Sequence, residues 1–347
     1  MPINLGGPGL AFETWGSTNS GDGMTKVAVL DDWQGLARTS ADWSALEACA
    51  EVVFFAQAFA SEDDAAQKLA DFDILLTMRE RTPFPASLIN RLPKLLFLGI
   101  TGVANRTLDL AACTARNIVI SNTIGQGRHR DATAELALGL MLAVARAIPA
   151  ADANMHMGRF QDGLPSGISM SGKTIGIVGL GKLGTMMARY CKALNMNVLA
   201  WSQNLTAEKA KAEGATLVSK DELFIRSDVV SLHVVLSERS RHLIGASELA
   251  RMKPGAILIN TSRGPIVDEA ALVAALNSGR IRAGLDVYDE EPLPADHPLR
   301  SAPNVVLAPH LGFSVEETWA EYYPQSVENA LAYLAGKPVR VVNPEAL

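Results

Sequence analysis

Cysteine is scarce in this 347-residue chain. Cys49, Cys113 and Cys191 are odd in number and widely spaced, which excludes a disulfide framework and a cysteine-rich metal site. The expectation is reduced thiols, a cytoplasmic address and no bound metal. Excess basic charge is also missing: 31 Lys and Arg stand against 37 Asp and Glu, a net charge of -6. With no basic run either, nothing electrostatic points to nucleic acid as a partner. Long apolar runs are absent too. The stretch Leu136 to Ala145 falls far short of the roughly 20 residues a membrane span requires, so no membrane is expected as a partner. Residues 1–23 contain six glycines, no Lys or Arg and no apolar h-region. They do not form a secretory signal, and the expectation is a disordered leader, with the fold beginning near Met24. No self-repeat of solenoid or propeller length is visible.

What is present is a strand–helix alternation. A chain of this length exceeds one ordinary core, so two domains are expected. Lys26–Leu30, Glu51–Phe55, Asp73–Thr77, Leu95–Ile100 and Ile118–Asn122 read as buried strands with helical stretches between them. Near-continuous apolar strands of this kind belong to a parallel sheet covered on both faces. One long helix is expected over about 131–156; its first half is apolar nearly all round and so should be buried between larger units. Beyond it six further strand-like runs follow, as in a six-stranded dinucleotide-binding half. The tail from about Ser314 is helical and is expected to return to the first domain. The fold class is thus α/β: a substrate domain of residues 24–125 and 314–347, with a dinucleotide-binding domain, 126–313, inserted in it.

Gly179, Gly181 and Gly184 form a G-x-G-x-x-G run, directly after the apolar run Thr174–Val178 and before an amphipathic helical pattern. The triplet alone is a weak signal; its strand–turn–helix context is what a pyrophosphate site needs. There the first glycine makes the tight turn, the second lets the backbone approach the phosphates, and the third packs helix on strand. The next strand ends at Ser202, Gln203 and Asn204, where an acidic residue would normally accept the ribose hydroxyls. That pocket reads as neutral. With no carboxylate and no arginine, and only Lys209 and Lys211 downstream, NAD and NADP both stay open.

Three later strand ends carry polar groups: Arg263 in NTSRGP, Glu291 in DVYDEEP and His310 in APHLG. Taken singly, each such residue is more often on a surface or in a cap. Together they deliver a set to the edge where ligands bind in open α/β sheets. An Arg fork can hold a carboxylate and polarise an adjacent carbonyl. As hydride reaches the carbonyl carbon its oxygen needs a proton, which histidine can supply near neutrality. A carboxylate beside the imidazole orients it and favours its protonated form. So Arg263 binds and polarises, His310 is the acid/base, and Glu291 tunes it. Among the other histidines, His233 ends a strand and could line the cofactor cleft; His156, His242 and His297 look structural or solvated. Arg128, beside His129, is a further candidate for substrate.

The segments ATAELALGLMLAVAR, SGKTIGIVGLGKLG, the run from DVVSLHVV through NTSRGPIVDE, AGLDVYDEEPLP and APHLG resemble the D-isomer-specific 2-hydroxyacid dehydrogenases, over about residues 70 to 315. That family includes phosphoglycerate, glyoxylate/hydroxypyruvate and D-lactate dehydrogenases. The resemblance implies two Rossmann-like domains, a homodimer, NAD or NADP as cofactor, and a small 2-keto or 2-hydroxy acid as substrate. It gives Arg263, Glu291 and His310 the roles argued above. It further implies that the Lys182 and Leu183 amides meet the pyrophosphate, that Asp286 faces the nicotinamide amide, and that Val234, Thr261 and Ser262 line the cofactor. Thr101, Gly102 and Val103 inherit the loop whose amides hold the substrate carboxylate, although LGITGVANRTLD departs from the glycine-rich form typical of phosphoglycerate dehydrogenases. Ser202 is a second departure.

Two rival readings remain. Formate dehydrogenase shares the fold, but the Glu–His pairing argues against it. A dinucleotide-sensing corepressor or scaffold could retain every one of these residues, because fold alone does not establish activity. Which keto acid is used rests on outer-domain loops and on Phe313, Trp319 and Tyr322.

Overall fold

The computed structural model describes residues 23–125 and 131–347. The leader expected over residues 1–23 lies outside the described residues except for Gly23, and Arg128 and His129 lie outside them altogether. What is described falls into two compact units, one running to residue 125 and including Glu316–Leu347, the other running from residue 131 to Val315.

The first unit is built on a parallel sheet of five strands: β1 (Thr25–Val29), β2 (Ala50–Phe54), β3 (Ile74–Thr77), β4 (Phe97–Ile100) and β5 (Val119–Asn122), in the order β2-β1-β3-β4-β5. Both faces are covered, so β3 and β4 are buried at every residue. Each large aliphatic or aromatic side chain so removed from water contributes about 1.5–3 kcal/mol, which is why such runs tolerate no polar alternation. The helix Glu316–Leu334 lies on this unit and stacks Tyr333 on Phe97 at 4.7 Å between ring centroids. After it, Asn343 is fully engaged: its Oδ1 accepts from the Ile120 amide at 2.8 Å while its Nδ2 donates to the Ile118 carbonyl at 2.9 Å.

The second unit carries seven parallel strands: β6 (Thr174–Val178), β7 (Asn197–Trp201), β8 (Thr216–Leu217), β9 (Val229–Leu232), β10 (Ala256–Asn260), β11 (Ile281–Leu285) and β12 (Val305–Leu307), in the order β12-β11-β10-β9-β6-β7-β8. The six strands expected from sequence become seven because β8 is two residues long, too short to leave a periodic signature. β6 lies inside the sheet, and the chain turns outward in opposite directions on either side of it. The switch point between β6 and β9 is where ligands bind in such sheets. Ser219 and Asp268 start helices of this unit, each side chain accepting the amide three residues on. Caps of this kind contribute about 0.5–2 kcal/mol.

The long helix expected over 131–156 is two helices, Ala132–Arg146 and Ile148–His156, bent by 66°. The break is Ala147, held in the left-handed region at φ 49°, with Pro149 in the first turn of the second helix. Proline fits a first turn but cannot continue a ladder behind it. The first helix packs Ala137, Leu140, Met141 and Val144 into the core beside β10 and β11. No single helix among the described residues is long and apolar enough to cross a membrane.

Candidate active site

In the second unit the glycine run does three different jobs. Gly179 follows β6 at φ +96°, and a Cβ on it would meet the His233 carbonyl oxygen at 2.7 Å and Val234 Cγ1 at 2.7 Å. Gly181 caps the helix Lys182–Ala193, and a Cβ there would have no neighbour within 4 Å. Gly184 lies inside that helix, where a Cβ would fall 2.0 Å from the Gly179 carbonyl oxygen. Gly179 and Gly184 are therefore required by the protein's own packing, whereas Gly181 leaves open space at a helix N-terminus that begins with the Lys182 and Leu183 amides. A helix start with open space before it suits a pyrophosphate.

Just past β9 and β10, two buried polar atoms lack a hydrogen-bond partner among the described residues: His233 Nδ1 and Thr261 Oγ1. A dinucleotide lying along the carboxyl ends of the strands would offer each a partner, so these residues fit such a cofactor. His233 Nε2 is 2.9 Å from the Ser231 hydroxyl, and burial lowers its pKa to about 4, so the imidazole is neutral at physiological pH and unsuited to acid/base work.

At the end of β7 a pocket of about 440 Å³ is lined by Ser202, Gln203, Ser219 and Glu222 with the apolar Trp201 and Leu217. Sequence reasoning took this pocket as neutral. The structure corrects that, because Glu222 arrives from the helix Lys220–Arg226 that follows β8.

Past β10, Asn260 ties the turn: its Oδ1 accepts from the Ser262 amide at 3.0 Å and its Nδ2 donates to the Arg263 carbonyl at 2.9 Å. Ser262 Oγ donates to the Leu232 carbonyl of β9 at 2.8 Å. Arg263 is thus presented on a locked backbone, half-buried, with Nη1 donating to the Ser262 carbonyl at 2.7 Å. Gly264 behind it is compelled by packing, since a Cβ would lie 2.0 Å from the Tyr288 carbonyl carbon.

Between β11 and β12, one Glu291 oxygen accepts from the Tyr288 amide at 2.9 Å and the other stands 2.5 Å from His310 Nδ1. His310 follows β12 in the left-handed region at φ 54° and donates its amide to the Asp286 carbonyl at 2.9 Å. The Asp286 carboxylate holds the next turn, accepting from the Leu311 amide at 2.6 Å and the Gly312 amide at 2.8 Å. Burial pushes its pKa up to about 6 against the pull of those amides. Its carboxylate, expected to face the nicotinamide amide, is completely buried and braces the His310 turn. Arg263, Glu291 and His310 follow or connect the adjacent strands β10, β11 and β12. With Glu291 on Nδ1, Nε2 is the imidazole nitrogen left for proton transfer. His297 by contrast pairs with Glu269 at 2.9 Å and caps a short turn.

In the first unit, Thr101, Gly102 and Val103 follow β4. Gly102 takes φ +85°, and its amide is already given to the Thr123 hydroxyl at 2.9 Å, which argues against its assignment to a substrate carboxylate. Val103 is 71% exposed, and Thr101 is buried, with its hydroxyl accepting from the Arg79 amide at 2.7 Å. Sequence reasoning missed Arg79, whose guanidinium donates to the Thr101 carbonyl at 3.2 Å and fills the space a Gly102 Cβ would need. Its signal was a cation just past the end of β3. Trp319, named with the specificity residues, is 4% exposed and stacked on Tyr323, so it is core.

Residues 138–312 match the family model described as D-isomer specific 2-hydroxyacid dehydrogenase, NAD binding domain. The chain is 37% identical over 281 residues to a D-3-phosphoglycerate dehydrogenase of Archaeoglobus fulgidus, covering 81% of this chain and 53% of that protein. It is 36% identical over 287 residues to a glyoxylate reductase of Korarchaeum cryptofilum, covering 81% and 86%. The crystal structure of a phosphoglycerate oxidoreductase from Vibrio cholerae superposes with a TM-score of 0.83 at 33% identity, covering 89% of this chain and 99% of that one. The chain spans about half the length of the archaeal phosphoglycerate dehydrogenases and most of the length of the glyoxylate reductase.

Proposed function

The chain belongs to the D-isomer-specific 2-hydroxyacid dehydrogenase family, and from that premise we propose that it transfers a hydride between NAD(P)H and a small 2-keto acid, giving the D-2-hydroxy acid. The observation that carries this reading is the His310–Glu291 pair at 2.5 Å, on the same sheet edge as the Arg263 turn, with Arg263 after β10, Glu291 after β11 and His310 after β12. His310 supplies the proton to the carbonyl oxygen through Nε2, and Glu291 fixes the ring and stabilises the imidazolium. Arg263 binds the substrate carboxylate and polarises the carbonyl. The cofactor supplies the hydride. Gly181 with the Lys182 and Leu183 amides takes its pyrophosphate, Val234, Thr261 and Ser262 line its path, and Ser202 and Gln203 meet the adenosine ribose. The unit from residue 131 to Val315 is the cofactor domain in this reading, and the first unit, which carries Thr101 and Val103, is the substrate domain. The substrate class follows the relatives' names, which range over phosphoglycerate, glyoxylate and hydroxypyruvate.

A homodimer belongs to the same proposal. Ile148, Met155, Met157 and Phe160 stand 51–69% exposed on and just after the second half of the bent helix pair, an apolar face suited to a second copy. That Cys49, Cys113 and Cys191 are all free, Cys49 being exposed, fits a reducing, cytoplasmic compartment. The test of the activity is to offer glyoxylate, hydroxypyruvate, pyruvate, phenylpyruvate and 3-phosphohydroxypyruvate with each reduced cofactor and follow its oxidation. Turnover of at least one is expected. Cofactor binding without turnover of any would favour the sensing role instead.

A further inference from the structure

The pocket at the end of β7 lacks the acid normally expected at position 202, yet it is not without a carboxylate. Glu222 enters it from a different connection, about twenty residues later in the chain, and it shares the pocket with Ser202 and Gln203. Its side chain is exposed and folds back onto its own helix start. Glu222 Oε2 accepts from the Ser219 amide at 3.0 Å and from the Ser219 hydroxyl at 2.9 Å, while the Glu222 amide returns a bond to Ser219 Oγ at 3.2 Å. Those bonds, the one from the Ser219 amide foremost, hold its carboxyl below the usual range, so it is ionised at neutral pH.

Two physical consequences follow. Backbone amides at a helix start are ordinarily open to a phosphate, but here the chain's own carboxylate already occupies the Ser219 amide. In addition, no Lys or Arg is among the residues that line the pocket. The cations nearby in sequence are committed to other partners or sit outside it: Lys220 pairs with Glu248 at 2.9 Å, and Arg226 reaches Glu222 itself only at 3.9 Å. Lys209 and Lys211, on the helix Ala207–Ala212, are not among the lining residues.

We infer that Glu222 is the specificity-determining acid of the adenosine pocket: it repels a 2′-phosphate, so the chain uses NAD(H) in preference to NADP(H). Ser202 and Gln203 then serve the unphosphorylated ribose as neutral hydrogen-bond partners. This rests on the reading of the second unit as the dinucleotide site. At low ionic strength a carboxylate and a phosphate dianion about 6 Å apart in water disfavour each other by about tenfold. The effect is electrostatic and therefore screened by salt.

The experiment titrates the full chain with NADH and with NADPH, without substrate, following nucleotide fluorescence. Wild type should bind NADH at least about tenfold more tightly than NADPH. Glu222→Gln keeps an acceptor for the Ser219 amide, so the cap survives, and the NADH/NADPH affinity ratio should fall by about tenfold; Glu222→Lys should lower it further. In wild type the ratio should shrink as ionic strength rises, a readout that needs no variant. A structural role for Glu222 would weaken both nucleotides together and leave the ratio alone. A ratio unchanged by Glu222→Gln, or insensitive to salt, overturns the inference while leaving the dinucleotide site intact. Wild type that binds neither nucleotide overturns the dinucleotide reading and this inference with it.

Discussion

Two alanine substitutions three residues apart should separate folding from cofactor binding. At Gly184 a Cβ would lie 2.0 Å from the Gly179 carbonyl oxygen, against the 3.4–4 Å of ordinary contact, and the obstacle is backbone rather than a movable side chain. The helix Lys182–Ala193 must therefore shift off β6. Overpacking of this degree costs about 3 kcal/mol, and the better helix propensity of alanine returns up to about 1 kcal/mol. A net loss of about 2 kcal/mol lowers the melting temperature by about 4–8 °C for a unit of this size. Gly181 has φ −85°, which alanine accepts, and no atom within 4 Å of a new Cβ. Gly181→Ala should melt as wild type does. The same methyl would occupy the space the pyrophosphate needs, at an overlap of about 1–3 kcal/mol, and so weaken NADH binding by about 5- to 150-fold. Thermal melts and NADH titrations on both variants make the comparison. If Gly181→Ala binds NADH as tightly as wild type, the pyrophosphate does not approach there; if Gly184→Ala melts at the wild-type temperature, the packing argument is wrong.

His310→Ala should keep NADH affinity within about threefold and lower kcat by about 10²–10⁴, the usual scale for a general acid, and unchanged turnover would remove His310 from the chemistry. Arg263→Lys keeps the charge but not the planar fork; kcat/KM should fall by about tenfold or more, and a wild-type value would show that no bidentate carboxylate is held there. Asp31 is a pH prediction. Burial raises its pKa to about 6, against the hydrogen bond from Thr82. The folded form therefore keeps a proton between pH about 4 and 6 that the unfolded chain releases, so this group makes stability fall as pH rises through that window, by about 1–3 kcal/mol in all. Asp31→Asn, acceptable at φ 60°, should flatten the decline in urea midpoint between pH 4.5 and pH 7; an unaltered slope would place the titration elsewhere.

The parallel sheets were legible because strands buried on both faces must be apolar along their length, and Ile74–Thr77 or Ala256–Asn260 can be read as nothing else. The glycine spacing was legible for a similar reason: Gly179 and Gly184 answer to steric limits within six residues of each other. What sequence did not reveal depends on contacts remote along the chain. β8 is defined by its pairing with β7, not by its two residues. The break at Ala147 had a local signal in Pro149, but the apolar pattern running through it concealed the change of direction. Glu222 reads as an ordinary capping-box residue, and only the packing of its helix start beside the end of β7 brings it into one pocket with Ser202. The His310–Glu291 contact was anticipated from chemistry, whereas the brace from Asp286 to the Leu311 and Gly312 amides needed coordinates.

The proposed reduction of a 2-keto acid draws its proton from His310. It is tested most directly by incubating wild type and His310→Ala with reduced nucleotide and each of the five keto acids, and resolving the product by chiral chromatography. Wild type should consume nucleotide and keto acid one for one and yield the D-2-hydroxy acid with at least one of them, while the variant should bind nucleotide and yield next to none. An L product, or nucleotide binding with no product from any of the five, would contradict it.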